Sequence, residues 1–127
     1  MFEQLTKYCE SQGVAVRDAA RLPYAGIWDA ATRTIWLHAG LTGRERTPVL
    51  LHEILHMQAG HVGPQSAAVE RKIRRDVARI LINRGAYARA EKIAEGDLFG
   101  IAEELDVPAW LVRDYQQILE CTPLWPG

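Results

Sequence analysis

Between Leu51 and His56 the chain reads Leu-His-Glu-Ile-Leu-His, two histidines four residues apart with a glutamate directly after the first. Four residues make roughly one helical turn, so on a helix both imidazoles rise on one face and can direct nitrogens at a single metal ion. A carboxylate beside them can take a proton from a water activated at that ion, the arrangement zinc hydrolases use. At about 100° per residue counted from Pro48, His52 falls near 40°, His56 near 80° and Glu53 near 140°. Leu50, Leu51, Ile54, Leu55 and Met57 fill the opposite arc. One arc therefore carries the chemistry, and the other can bury the helix and give the site a rigid seat. The bland reading is a pair of core histidines bonded to backbone, with Glu53 solvated. With four histidines and ten glutamates in the chain, an accidental HExxH has a chance of roughly 1%, and the helical setting weakens accident further.

Zinc on such a helix needs a third protein ligand and keeps a fourth position open. His61 stands nearby, but HExxHMQAGH misses the metzincin signature HExxHxxGxxH in register, with Ala59 where that motif has glycine and Val62 where it has histidine. On a continuing helix His61 would lie about 180° from His52. It reaches the site only if Gly60 turns the chain back, and a place beside the ligands or as an oxyanion donor suits it better than ligation. Tyr87 and several arginines share that oxyanion candidacy. Glu70 is the stronger third ligand, because it borders the apolar positions Val69, Ile73 and Val77 of the next helix and could face the first. An HExxH helix followed by a glutamate from a second helix is the gluzincin arrangement. The competing reading pairs an exposed Glu70 with Arg74 at i+4, worth a few tenths of a kcal/mol.

These residues need elements to hold them. Residues 2–12 pattern as an amphipathic helix through Phe2, Leu5, Tyr8 and Cys9, closed by Gly13, and Val14–Arg17 alternate like a short strand. Residues 25–29 and 33–38 are β-prone runs flanking Ala30-Ala31-Thr32, which predicts a hairpin in a small antiparallel sheet. Thr47-Pro48 reads as N-cap and first-turn proline of the HEILH helix, which runs to Gly60; a second helix spans about 66–83 with Gly85 past its end. Shorter helices follow near 86–95, 98–105 and 108–119, and the Pro-Leu-Trp-Pro-Gly end reads as irregular. The expected fold is α+β, a hairpin sheet packed on a zincin-like helical core. At 127 residues a single domain is expected, with 97–119 as a helix-turn-helix-like packing element.

Composition excludes other classes. With 48% apolar and 24% charged residues the chain is too hydrophobic for disorder, and no apolar run approaches the roughly 18 residues of a membrane helix. The start MFEQLTKYCESQG lacks the pattern of a secretion signal, and Cys9 and Cys121 form no CxxC, so a reduced cytoplasmic protein is expected. The formal charge is −1, but eight basic and two acidic residues fall in 71–92 and seven acidic and one basic in 95–120. Neighbouring helices with opposite solvated faces account for this. Between Pro108 and Glu120 only Arg113 is cationic, so this helix-turn-helix-like end is not expected to read DNA. His38, ending a strand, reads as a hydrogen-bonded surface histidine. Trp28 and Trp36 read as core or cross-strand partners on a strand whose edge could hold an extended peptide.

From about Gly26 to Leu119 the order of parts resembles the ImmA/IrrE family of small bacterial and phage metallopeptidases: GIWDAATRTIWL, GRERTPVL, the HEILH helix, a glutamate helix ending Ala-Arg-Ile-Leu-Ile, and IAEELDVPAWLVRDYQQIL. The resemblance implies zinc held by His52, His56 and Glu70, with Glu53 as general base. It also implies a protein substrate, a repressor-type transcription regulator cleaved at a limited site, while the chain's near-neutral charge and lack of a long apolar run lead to the expectation of no membrane partner. Two departures stand out: the glutamate helix reads VERKIRRDVARILI where many members are alanine-rich, and no helix-turn-helix domain precedes it. Alternatives from other classes are a non-catalytic zinc-binding or partner-binding module, and a DNA-binding regulator.

Overall fold

The computed structural model describes residues 1–121, so the Pro-Leu-Trp-Pro-Gly end lies outside the described residues. The elements are α1 (Phe2–Ser11), β1 (Ala15–Ala19), β2 (Gly26–Asp29), β3 (Thr34–His38), α2 (Gly43–Gln58), α3 (Ala67–Leu81), α4 (Arg84–Ile93), α5 (Leu98–Leu105) and α6 (Ala109–Cys121). This is the expected α+β class. The chain divides into two compact units, Met1–Ile73 and the part from Arg74 onward. No helix among the described residues is long and apolar enough to cross a membrane.

In the first unit the predicted hairpin forms. β2 and β3 pair antiparallel, with Trp28 opposite Ile35, and Asp29 ties the turn by accepting from the Ala31 N–H at 3.1 Å and the Thr32 hydroxyl at 2.8 Å. The sheet as a whole is mixed rather than antiparallel. Its order is β1-β3-β2, and β1 lies parallel to β3, with Val16 opposite Ile35. The link from 20 to 25 has to step across two strand spacings, about 10 Å, which six extended residues span with ease.

The HEILH helix begins earlier than Thr47-Pro48 suggests. Thr42 is the N-cap of α2, and the Glu45 carboxylate accepts from the Thr42 N–H at 3.1 Å and its hydroxyl at 2.9 Å. This Thr-x-x-Glu capping box satisfies donors at the helix start, and Pro48 is buried inside the helix that follows. The apolar arc packs as the wheel requires: Leu50 and Ile54 join Cys9, Val14, Ile35, Leu37 and Val49 in one core. Each fully buried aliphatic side chain there contributes on the order of 1.5–3 kcal/mol. Gly26 sets the spacing of β2 on α2, because a Cβ at that position would come within 2.7 Å of Val49 Cγ1 and 3.2 Å of Glu53 Cγ.

The second unit's described part is helical. Gly85 sits within the first turn of α4 rather than beyond a preceding helix, since Asn83 is the N-cap there and accepts from the Ala86 N–H at 3.0 Å. Asp97 caps α5 in the same way, through the Gly100 N–H at 2.8 Å. Asp106, in the left-handed conformation, separates α5 from α6, and Ile101, Ala102, Leu111, Val112 and Ile118 are buried. Within this unit Arg74 and Asp114 form a two-pronged pair, Nε to Oδ2 at 3.1 Å and Nη2 to Oδ1 at 3.2 Å.

Candidate metal centre

α2 presents His52 and His56 one turn apart, and α3 brings Glu70 to them from its first turn. Ser66 sets that turn, its hydroxyl accepting from the Val69 N–H at 3.2 Å and its carbonyl from the Glu70 N–H at 3.0 Å. The Glu70 carboxylate spans both rings: Oε2 lies 3.0 Å from His52 Nε2 and Oε1 lies 2.9 Å from His56 Nε2. The two Nε2 atoms are 3.2 Å apart. Two imidazole nitrogens and a carboxylate oxygen thus converge, all within 4.8 Å of one another, as a group that could hold a metal ion. The i+4 pairing of Glu70 with Arg74 is not what forms, because Arg74 is committed to Asp114.

Glu53, on the same helix, is 7% exposed. Burial, with the nearby Glu70 charge adding to it and a hydrogen bond from the Trp28 backbone working the other way, pushes its carboxyl up to about 7. The strand register explains that bond. The His38 N–H bonds the Ala25 carbonyl, so hydrogen-bonded pairs alternate along the hairpin and the Trp28 N–H is turned away from β3. The solvated Glu53 of the bland reading is therefore not found: β2 covers it, and Gly26 permits the approach.

His61 lies outside the three-donor group and directly behind one member of it. α2 ends at Gln58, and Gly60, with φ +73°, turns the chain so that the His61 N–H bonds the His56 carbonyl at 3.0 Å and the Gly60 N–H bonds the Met57 carbonyl at 3.0 Å. Glycine takes that left-handed conformation at little cost. The turn places His61 Nδ1 2.9 Å from His56 Nδ1, the ring nitrogen opposite the one that faces Glu70. With His56 offering Nε2 to an ion, its Nδ1–H donates to His61 and the ring orientation is held. Tyr87, the other oxyanion candidate, is buried in the second unit; its ring centroid is 4.9 Å from that of Tyr115 and its hydroxyl accepts from Gln116 at 3.2 Å. His38 accepts the Gly40 N–H at 2.8 Å through Nδ1, the hydrogen-bonded histidine expected there.

The contribution of the Trp28 backbone was not indicated by any motif. The one signal pointing to it is Gly26 in a β-prone run, since glycine inside a strand marks close backbone approach. Comparison of the chain with protein-family models, with curated proteins and with solved structures gave no match.

Proposed function

We propose that the protein is a zinc-dependent endopeptidase that makes limited cleavages in a regulatory protein in the cytoplasm, the activity implied by its resemblance to the ImmA/IrrE metallopeptidases. The observation that carries this reading is the convergence of His52, His56 and Glu70 beside a buried carboxylate that no cation among the described residues neutralises. Zinc bonds of about 2.0–2.2 Å in tetrahedral geometry place ligand atoms roughly 3.3–3.5 Å apart. The two Nε2 atoms, 3.2 Å apart, approach that spacing, and each ring has one Glu70 oxygen at 2.9 or 3.0 Å. Calcium, which takes six to eight oxygen ligands, suits the set poorly.

Zinc bound there would polarise a peptide carbonyl and acidify a water held against it. The rest falls to the chain. Glu53, buried beside the donor group, would accept a proton from the attacking water and return it to the leaving amine. The Trp28 backbone aims that carboxylate, and His61 fixes the His56 ring. A purely structural site leaves the buried Glu53 without a task, which disfavours the non-catalytic alternative. The resemblance supplies the substrate class, a repressor-type transcription regulator.

The test is metal content followed by cleavage. Purified protein should carry about one zinc per chain, and His52→Ala or His56→Ala should lose it, because two remaining donors hold the ion weakly. Glu70→Ala should weaken binding markedly. Loaded protein should cut a repressor-type protein at one site or a few while sparing casein. Full zinc in either histidine variant would remove the site from consideration, and rapid casein digestion would replace limited cleavage with general proteolysis.

A further inference from the structure

A cavity of about 450 Å³ opens beside the metal centre within the first unit. Its wall includes His61, which touches His56, and Trp28, whose backbone holds Glu53, so these two residues separate it from the donor group and the carboxylate and link it to them. Trp28 and Met57 form an apolar side, while Tyr8, Gln58 and Arg33 form a polar one, and no aspartate or glutamate lines it. The volume lies in the range of roughly 300–1,000 Å³ typical of ligand pockets, ample for a side chain and its flanking backbone.

Arg33 is exposed to solvent but tethered. It closes the β2–β3 turn with φ +50°, a conformation that costs a non-glycine residue energy, and its Nη2 donates to the Gln12 carbonyl at 2.7 Å. The acid of the same turn, Asp29, is taken up by Ala31 and Thr32, and no carboxylate among the described residues pairs with Arg33. A guanidinium has five N–H donors in a planar fork, of which the tether to Gln12 uses one, and the fork matches a carboxylate. Tyr8 adds a further donor, because its oxygen accepts from Gln58 Nε2 at 3.0 Å and its own proton remains to be given.

We propose that this cavity is the subsite for an acidic side chain of the polypeptide substrate, with Arg33 as the specificity-determining residue; the assignment rests on the peptidase reading above. The cation is anchored at one N–H, the neighbouring donors are neutral and no acid lines the cavity, so a carboxylate entering there meets a positive potential and a planar fork of free donors with no competing charge.

Zinc-loaded protein is incubated with labelled peptides that differ only in carrying Glu, Gln or Lys at one position, scanned along the sequence. At one position the wild type should favour Glu over Lys by roughly tenfold or more in kcat/KM. Arg33→Glu should reverse that order, and Arg33→Gln, which keeps an N–H for the Gln12 carbonyl, should level it. No positional charge preference, or one that both variants leave unchanged, overturns the subsite. Where no peptide is cleaved, the same panel is read by fluorescence anisotropy on Glu53→Gln and on Glu53→Gln combined with Arg33→Glu. A Glu preference that reverses between these two upholds the subsite while the peptidase reading falls; equal binding of all peptides overturns the subsite as well.

Discussion

Glu53 in the first unit is 7% exposed and Asp114 in the second is 8% exposed, two carboxylates at nearly equal depth with opposite company. Asp114 meets the Arg74 guanidinium in a two-pronged pair, the arrangement that offsets the cost of burying charge. Glu53 meets a backbone hydrogen bond from Trp28 and the negative charge of Glu70. Burial by itself therefore does not tell the two apart; the partner does. A carboxylate fastened to arginine ties elements together, whereas one left among donors too few to hold its charge is ready to take a proton.

The contrast is open to direct attack. The largest effect expected is on turnover: Glu53→Gln should keep zinc and fold but lower peptidase activity about 10²-fold or more, because the amide preserves shape and removes the base. Asp114→Asn should leave turnover within a few-fold of wild type in the same assay. Near-normal activity in the glutamine variant would put the proton on another group and dissolve the distinction.

Next comes a pH effect on the metal-free protein. The Glu53 carboxyl is raised from 4.5 to about 7, so the folded state holds a proton that the unfolded chain releases between those values. Its penalty on stability is absent below about 4.5, grows through that window and is complete above about 7. Glu53→Gln should thus be the more stable form in denaturant melts at pH 8, by at most about 3 kcal/mol, and indistinguishable from wild type near pH 4. A difference of the same size at both pH values would show that packing, not charge, separates them.

A smaller effect concerns His61. His61→Ala should weaken zinc binding by about 10–100-fold in competition with a chelator, and His61→Gln, whose amide oxygen can accept from His56 Nδ1–H, should recover part of it. Equal loss in both would mean that the ring's bulk rather than its acceptor matters. Smallest is the fastening itself. Arg74 is half exposed, so Asp114→Asn should cost only about 1–2 kcal/mol in chemical denaturation, below the 3–5 kcal/mol of a fully buried pair.

What could be read from the sequence was what local geometry dictates. The spacing of His52 and His56 needs only one helical turn, and the stripe of Val69, Ile73 and Val77 was enough to nominate Glu70 over His61. The conformation at Gly60 was legible as a requirement on His61, but where the turned-back ring would land depends on three-dimensional placement. The parallel pairing of β1 with β3 is a long-range choice that alternation does not encode, and Thr42-x-x-Glu45 was outvoted by the more familiar Thr-Pro start. The burial of Glu53 escaped for the same reason as the parallel strand: a wheel shows which arc is polar, not which polar residue a strand will cover.

The ligand atoms of the candidate centre lie close to bonding separation on a scaffold whose core, from Cys9 through Ile54, includes none of them. In small zinc modules the ion builds the fold, and stripping it unfolds the chain. Here the apolar core is built without any of those donors, so the chain is expected to keep its fold whether or not an ion is bound. An ion taken up there would then be an exchangeable passenger, and a cell could switch such a protein on or off through its supply of ions without making or destroying a single molecule of it.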